Sequence, residues 1–127
     1  MEFLSDHLNR KPRKPYRMSE DTNDAIQLIV DERNRQIDKE DYSPEHDDLH
    51  DECELGLAAE CYVHAARMNM LHPQIEIPHW AAGPGGIWPW EIESWKPSQD
   101  PIRNLVKAGA LIAAEIERLQ RIEEAKA

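Results

Sequence analysis

The sequence predicts an all-α fold, and three observations carry that prediction. Three stretches of the 127-residue chain repeat apolar residues every three or four positions, the period of an amphipathic helix. Sustained strand-like alternation is missing: Gln74-Ile75-Glu76-Ile77 is a single short alternating piece. Between the second and third helical stretches, residues 71–101 hold six of the nine prolines and all four tryptophans. That composition fits a long connection packed over a core. The expected architecture is a helical bundle of three long helices with a Trp/Pro-rich connecting loop, able to pair into a dimer.

The chain opens on a basic segment. Residues 1–18 carry Arg10, Lys11, Arg13, Lys14 and Arg17 against Glu2 and Asp6, and Pro12 and Pro15 interrupt any helix. They read as a flexible N-terminal arm, with 19–127 forming a single α-helical domain. The first helix is expected over about residues 21–38. Ser19 or Thr22 caps it, Glu20, Asp21 and Asp24 suit its positive end, and Ile26, Ile29, Val30 and Ile37 share a face. Asp41-Tyr42-Ser43-Pro44 then breaks the chain, Ser43 serving as N-cap and Pro44 as first helical residue.

The second helix is expected over about 44–70. Leu55, Ala58, Ala59, Tyr62 and Ala66 form its apolar stripe, which runs backward into Asp51, Glu52 and Asp48. The third is expected over about 101–123. Ile102, Leu105, Gly109, Ile112, Ile116 and Leu119 form its seam, and the small residues 108–110 admit a close neighbour.

The acidic stretch is the strongest pointer to chemistry. Nine carboxylates lie between Asp38 and Glu54, with His46 and His50 among them. On one continuous helix Asp47, His50, Asp51 and Glu54 would form a ladder of neighbours three and four apart. Like charges so spaced repel, and a divalent cation relieves the repulsion. Oxygen ligands favour Mg²⁺ or Mn²⁺, while the histidines keep Zn²⁺ and Ni²⁺ open. Glu32 on the first helix and Glu115 on the third could complete such a site from other directions. The competing reading makes the acids a solvated face, and Glu32 and Glu115 interhelical ion-pair partners. Arg103 and Lys107 suit a phosphate chain, and Trp88 or Trp90 suits a stacked base, although tryptophan clusters also close small cores. Cys53 and Cys61 are expected to be buried thiols without catalytic work.

Twenty-five acids against fifteen Lys and Arg leave a net charge of -10. That argues against a protein bound to nucleic acid over its whole surface. It suits a cation site, or a surface that imitates nucleic acid. No stretch approaches a membrane span, and neither a signal peptide nor a disulfide framework is legible, so an intracellular, cytoplasmic setting is expected.

Five stretches carry a family likeness: Asp31-Glu-Arg-Asn-Arg-Gln36, Glu45-His-Asp-Asp-Leu-His50, Trp88-Pro-Trp90, Trp95-Lys-Pro97 and the helix from Leu105 to Leu119. Over about residues 25–121 the chain resembles a family of small, mostly uncharacterised phage and prophage proteins. Asp51-Glu-Cys-Glu54-Leu further resembles the first metal-binding pair, E-x-x-E, of the MazG-like all-α nucleoside triphosphate pyrophosphohydrolases. The second pair of those enzymes, E-x-x-D, is not found as such: Arg118 stands three residues after Glu115, where an Asp would be expected. The resemblance implies a metal-dependent nucleotide-binding protein and pyrophosphohydrolase. Joined to the reading of the residues above, this gives a site in which Asp51, Glu54, Glu115 and His50 would hold Mg²⁺ or Mn²⁺, with Glu54 and Glu32 catalytic. Trp88, Trp90, Arg103 and Lys107 would hold the nucleotide. The alternative is a non-enzymatic acidic phage protein that mimics nucleic acid, or inhibits a host defence system by binding a host protein, in the host cytoplasm.

Overall fold

A computed structural model describes residues 20–40, 42–78 and 87–126. Among these residues four α-helices follow in order: α1 (Glu20–Glu40), α2 (Pro44–Asp47), α3 (Glu54–Leu71) and α4 (Pro101–Ala125). Among the described residues a 3-10 turn, Ile92–Ser94, lies in the connection between α3 and α4. The described residues contain no strand, so the all-α expectation is met. The basic arm, Ser19, Asp41, Trp80 and the glycines at 83, 85 and 86 lie outside the described residues.

The core lies between α3 and α4. Leu55, Ala58, Ala59, Cys61, Tyr62 and Ala65 of α3 meet Ala108, Leu111 and Ala114 of α4, with Trp95 packed among them. So many alanines let the two helix axes approach closely. The helices run antiparallel. Asn69, near the end of α3, accepts a 2.7 Å hydrogen bond from Asn104, near the start of α4. Further along, Ile112 shares a surface pocket with Gly56 and Ala59. The expected stripe of α3 is therefore the core stripe.

The junction of α1 with α4 is built differently. Ile29 sits against Gly109, where an added Cβ would stand 2.9 Å from the Ile29 Cδ1. One turn later the buried residues of α1 are Glu32, Arg33 and Gln36, all polar. Ile26 and Val30 stay about half exposed.

Three expectations need correction. The helix expected over 44–70 is two helices, with Cys53 in the left-handed region (φ 68) at the amino end of α3. A continuous helix would stack Asp47 and Asp48 beneath Asp51 and Glu52. The break instead turns Asp47 inward to Arg33 and leaves Asp48 beside Arg121. The second correction concerns α4, whose buried face is Asn104, Val106, Ala108, Ala110, Leu111 and Ala114. The expected seam of Ile102, Leu105, Ile112, Ile116 and Leu119 is exposed, because the alanine face admits α3 more closely than isoleucines could. Cys53 is the third: it is exposed, and only Cys61 is buried. The expected cap of α2 is present, with the Ser43 hydroxyl accepting from the His46 amide and Pro44 in the first turn.

Candidate functional site: an aromatic pocket beside an ionic seam

Arg33 organises the site. Its guanidinium donates 2.8 Å hydrogen bonds to the Tyr42 carbonyl and to the Asp47 carboxylate. Asp47 is fully buried. These bonds fasten the α1–α2 connection and the end of α2 onto α1. Tyr42, His46 and His50 then follow at intervals of four, with their rings in succession. Tyr42 stacks on His46 at 5.6 Å, and His46 meets His50 edge-on at 4.6 Å. Trp90 arrives from the long connection, 5.1 Å from His50 and 5.6 Å from Tyr42.

These four rings, with Pro89, Glu91 and Ser94, line a pocket of about 650 Å³. That volume lies in the range of small-molecule sites. Trp88 holds the far side in place. Its indole N–H donates to the Ser94 hydroxyl at 3.0 Å and the Glu91 carbonyl at 3.2 Å, and its ring packs on Tyr62, Trp90 and Trp95.

Unsatisfied polar atoms gather here. Buried side-chain atoms without a hydrogen-bond partner among the described residues include His46 Nδ1, His50 Nε2 and Trp90 Nε1 in the walls. Asp47 Oδ1, Arg33 Nε and Gln36 Oε1 join them in the α1–α2 seam. Each such atom costs about 1–3 kcal/mol unless something pairs with it. Burial raises the pKa of the Asp47 carboxyl further than the Arg33 charge lowers it.

Glu54 fixes the orientation of His50. The Glu54 carboxylate lies 3.0 Å from His50 Nδ1 and accepts a 2.6 Å bond from the Glu52 amide. With Nδ1 donating to Glu54, Nε2 of the neutral ring carries the lone pair. Partial burial opposes ionisation of Glu54, but the His50 bond and the backbone amides prevail and lower its pKa.

Next to the pocket lies a cationic cluster built on a buried carboxylate. Glu32 accepts two bonds from Arg35, at 2.7 and 2.8 Å, another from Gln36 at 3.2 Å, and one from Arg103. Burial pushes its pKa upward, and the two arginines outweigh that and leave it lowered. Lys107 donates to the Lys96 carbonyl at 2.6 Å, with its ammonium 5.4 Å from the centre of the Tyr62 ring. Burial, followed by the neighbouring Arg103 charge, lowers the Lys107 pKa. Lys96 and Arg35 both reach Glu40. The cluster thus has two more cations than carboxylates, on a chain whose net charge is -10. Tyr42 links the two regions: burial, and then the Glu40 charge, push its phenol up to about 12, with Arg35 acting against them.

The expected site residues divide among these arrangements. His50 and Glu54 come together, as do Arg103 and Lys107. Trp90 forms a wall, and Trp88 a support behind it. Asp51 is exposed and feels Arg118, while Glu115 accepts a 2.5 Å bond from Arg118. Glu32 is engaged by Arg35 and Arg103 instead of facing Glu54. Among the described residues no group of three or more His, Cys, Asp or Glu side chains is arranged to hold a metal ion. Tyr42 and Arg35 were missed as site residues, though the spacing Tyr42, His46, His50 was a signal. No helix among the described residues is long and apolar enough to cross a membrane. Comparison with models of protein families, with curated proteins and with solved structures finds no match for this chain.

Proposed function

We propose that the protein binds a nucleotide, with the base between Tyr42 and Trp90 and the phosphates toward Arg35, Arg103 and Lys107. The observation that carries this reading is the gathering of His46 Nδ1, His50 Nε2 and Trp90 Nε1, all without hydrogen-bond partners among the described residues, in the walls of an aromatic pocket. A base has the two things these walls lack, a flat π face and an edge of donors and acceptors. Binding would require the rings to part, since these atoms are now buried. The arginines would exchange Glu32 for phosphate oxygens, which they grip in the same forked manner.

The proposed activity is metal-dependent pyrophosphohydrolysis of a nucleoside triphosphate. Glu54, the carboxylate behind His50, would approach Mg²⁺ or Mn²⁺, both of which take oxygen donors. When bound, such an ion neutralises phosphate charge and lowers the pKa of a coordinated water. Glu54 also orients His50, whose Nε2 is left to pair with the base once the pocket opens. Tryptophan fluorescence titrated with a nucleotide panel, with and without each metal, tests binding. Pyrophosphate release tests turnover. Trp90→Ala should remove binding with helix content intact, and Glu54→Gln should remove turnover. Absence of both signals with every common nucleotide overturns the proposal.

A second reading has its own observation. Asp48, Leu49, Asp51 and Glu52 are exposed on the connection from α2 to α3, with Leu49 75% exposed. An acidic face around an apolar knob would suit docking on a basic host protein. In that case neutralising Asp48, Asp51 and Glu52 together abolishes salt-sensitive binding, and Trp90→Ala leaves it unchanged.

A further inference from the structure

The last helix has a second apolar face that the fold leaves in water. Ile102, Leu105, Ile112, Ile116 and Leu119 are each 44–62% exposed. With Gly109 they follow the alternating three-and-four spacing of a coiled-coil seam over about 25 Å of helix. Buried Leu111 and Ala114 lie on the opposite side, so this is a separate face and no frayed edge of the core. Beside it Ile112 shares a pocket of about 400 Å³ with Gly56, Ala59 and Val63 of α3, and Val63 is 44% exposed. Ile26 and Val30 of α1, at 46% and 45%, flank the Ile29 that covers Gly109.

Half-exposed aliphatic side chains each keep on the order of 80 Å² in water. Eight of them present roughly 600 Å², the upper end of what a lone soluble chain leaves uncovered. Doubled across two chains, that area reaches the lower end of a stable interface, about 1,200 Å² in total.

We propose that a second copy of this chain covers the face, α4 against α4, antiparallel about a two-fold axis near Ile112. Charge selects this occupant and its direction. Chains with a net charge of -10 repel, so they can meet only where acids are missing. The stripe is flanked by Ala113 and Gln120 on one side and by Ala108 and Glu115 on the other, and Glu115 is held by Arg118; the next acids are Glu123 and Glu124. An antiparallel arrangement keeps those two acids away from their own copies and sets them at the partner helix's amino end, whose dipole is positive and whose cap is Asp100. A parallel arrangement would set them against each other. A two-fold axis needs one self-complementary patch, and this stripe is one. Arg103 and Arg121, which reach α1 and α2, leave α4 on the other side. The nucleotide reading and this one therefore stand or fall separately.

Sedimentation velocity of the full chain over a range of concentrations tests the proposal. The expected mass is twice 14.7 kDa. Ile112→Glu with Ile116→Glu should return it to 14.7 kDa, with unchanged helical circular dichroism and unchanged nucleotide response. Should that pair lose helicity, Ile112→Gln with Ile116→Gln supplies the reading, with at least about a tenfold weaker association expected. In a Cys53→Ser background, mixing Leu105→Cys chains with Leu119→Cys chains should give mixed disulfide dimers on oxidation. Bonds only between like chains overturn the antiparallel arrangement. A wild-type chain that stays at 14.7 kDa throughout, or a dimer that survives both substitution pairs, overturns the proposal and assigns the face to another occupant.

Discussion

α4 is gripped on two sides by junctions of opposite chemistry. Against α3 it presents alanines and Leu111, and the junction is apolar with the Asn69–Asn104 pair at one end. Against α1 and α2 it presents Arg103, Glu117 and Arg121, facing Glu32, Arg33 and Asp48. Burial and dispersion hold the first junction, and they are indifferent to small rotations. Hydrogen bonds with fixed angles hold the second, so it sets positions. The pocket lies on the second side, where Tyr42, His46 and His50 depend on one arginine for their places. Stability and site geometry are thus assigned to different faces of one helix.

The largest effect should come from cutting the polar junction at its centre. Asp47→Ala leaves Arg33 charged, buried and short of a partner, and should cost about 3–5 kcal/mol. Arg33→Met with Asp47→Leu together should recover most of that stability in urea unfolding. The double variant should still lose nucleotide-induced quenching, because the Tyr42 carbonyl no longer has its donor. Recovery of both stability and quenching would break the division between the faces.

Leu111→Ala attacks the other junction. Its side chain is 1% exposed in the core, so truncation should cost about 3 kcal/mol, chiefly through the cavity left behind. The pocket should respond normally in the surviving folded fraction. A quench lost at full helicity would mean that the two junctions are coupled.

These junctions also differ in how far the sequence disclosed them. The stripe Leu55, Ala58, Ala59, Tyr62, Ala66 was legible because apolar periodicity is a direct record of burial. The polar junction leaves no such record: Glu32, Arg33 and Gln36 look like solvent-facing residues until a second element supplies partners. The same ambiguity hid the break before α3. Nothing local distinguishes acids that repel one another on a helix from acids about to be claimed by Arg33 and Arg121. On α4 periodicity misled, since two faces were apolar and the larger side chains belonged to the exposed one. Within the site, Arg103 with Lys107 was legible from helical spacing, whereas His50 meets Glu54 across the break before α3 and not along one helix. Tyr42 was not legible, because its place comes through a backbone carbonyl.

Acid should separate two carboxylates of the polar junction. The lowered pKa of Glu32 means that its stabilisation is present above the unfolded value, about 4.3, and is lost as pH falls through the folded one. For Asp47 the raised pKa reverses the sign: its protonated form is favoured by folding, and that contribution is lost as pH rises through the folded value. Melting temperature followed between about pH 5 and 3 should fall less steeply in Glu32→Gln and more steeply in Asp47→Asn. At neutral pH Glu32→Gln should cost about 1–3 kcal/mol, since its arginines remain partly solvated. Equal slopes in the two variants would contradict the opposed signs.

The smallest effect should arise at Gly109, where the apolar and polar parts of α1 meet. Alanine there would gain up to about 1 kcal/mol of helix propensity over glycine. Its Cβ, however, would stand 2.9 Å from Ile29 Cδ1 and 3.1 Å from Cγ1, so α1 must yield. Ile29 is partly exposed and can rotate, which keeps the overpacking cost near about 1 kcal/mol. The two terms nearly cancel, and Gly109→Ala should change stability by less than about 1 kcal/mol. Ile29→Val removes the Cδ1, so the alanine should be better tolerated in that background. A double-mutant cycle should give a favourable coupling between the two substitutions. Additive effects would mean that Ile29 does not rest on Gly109, and that the polar residues alone locate α1 on α4.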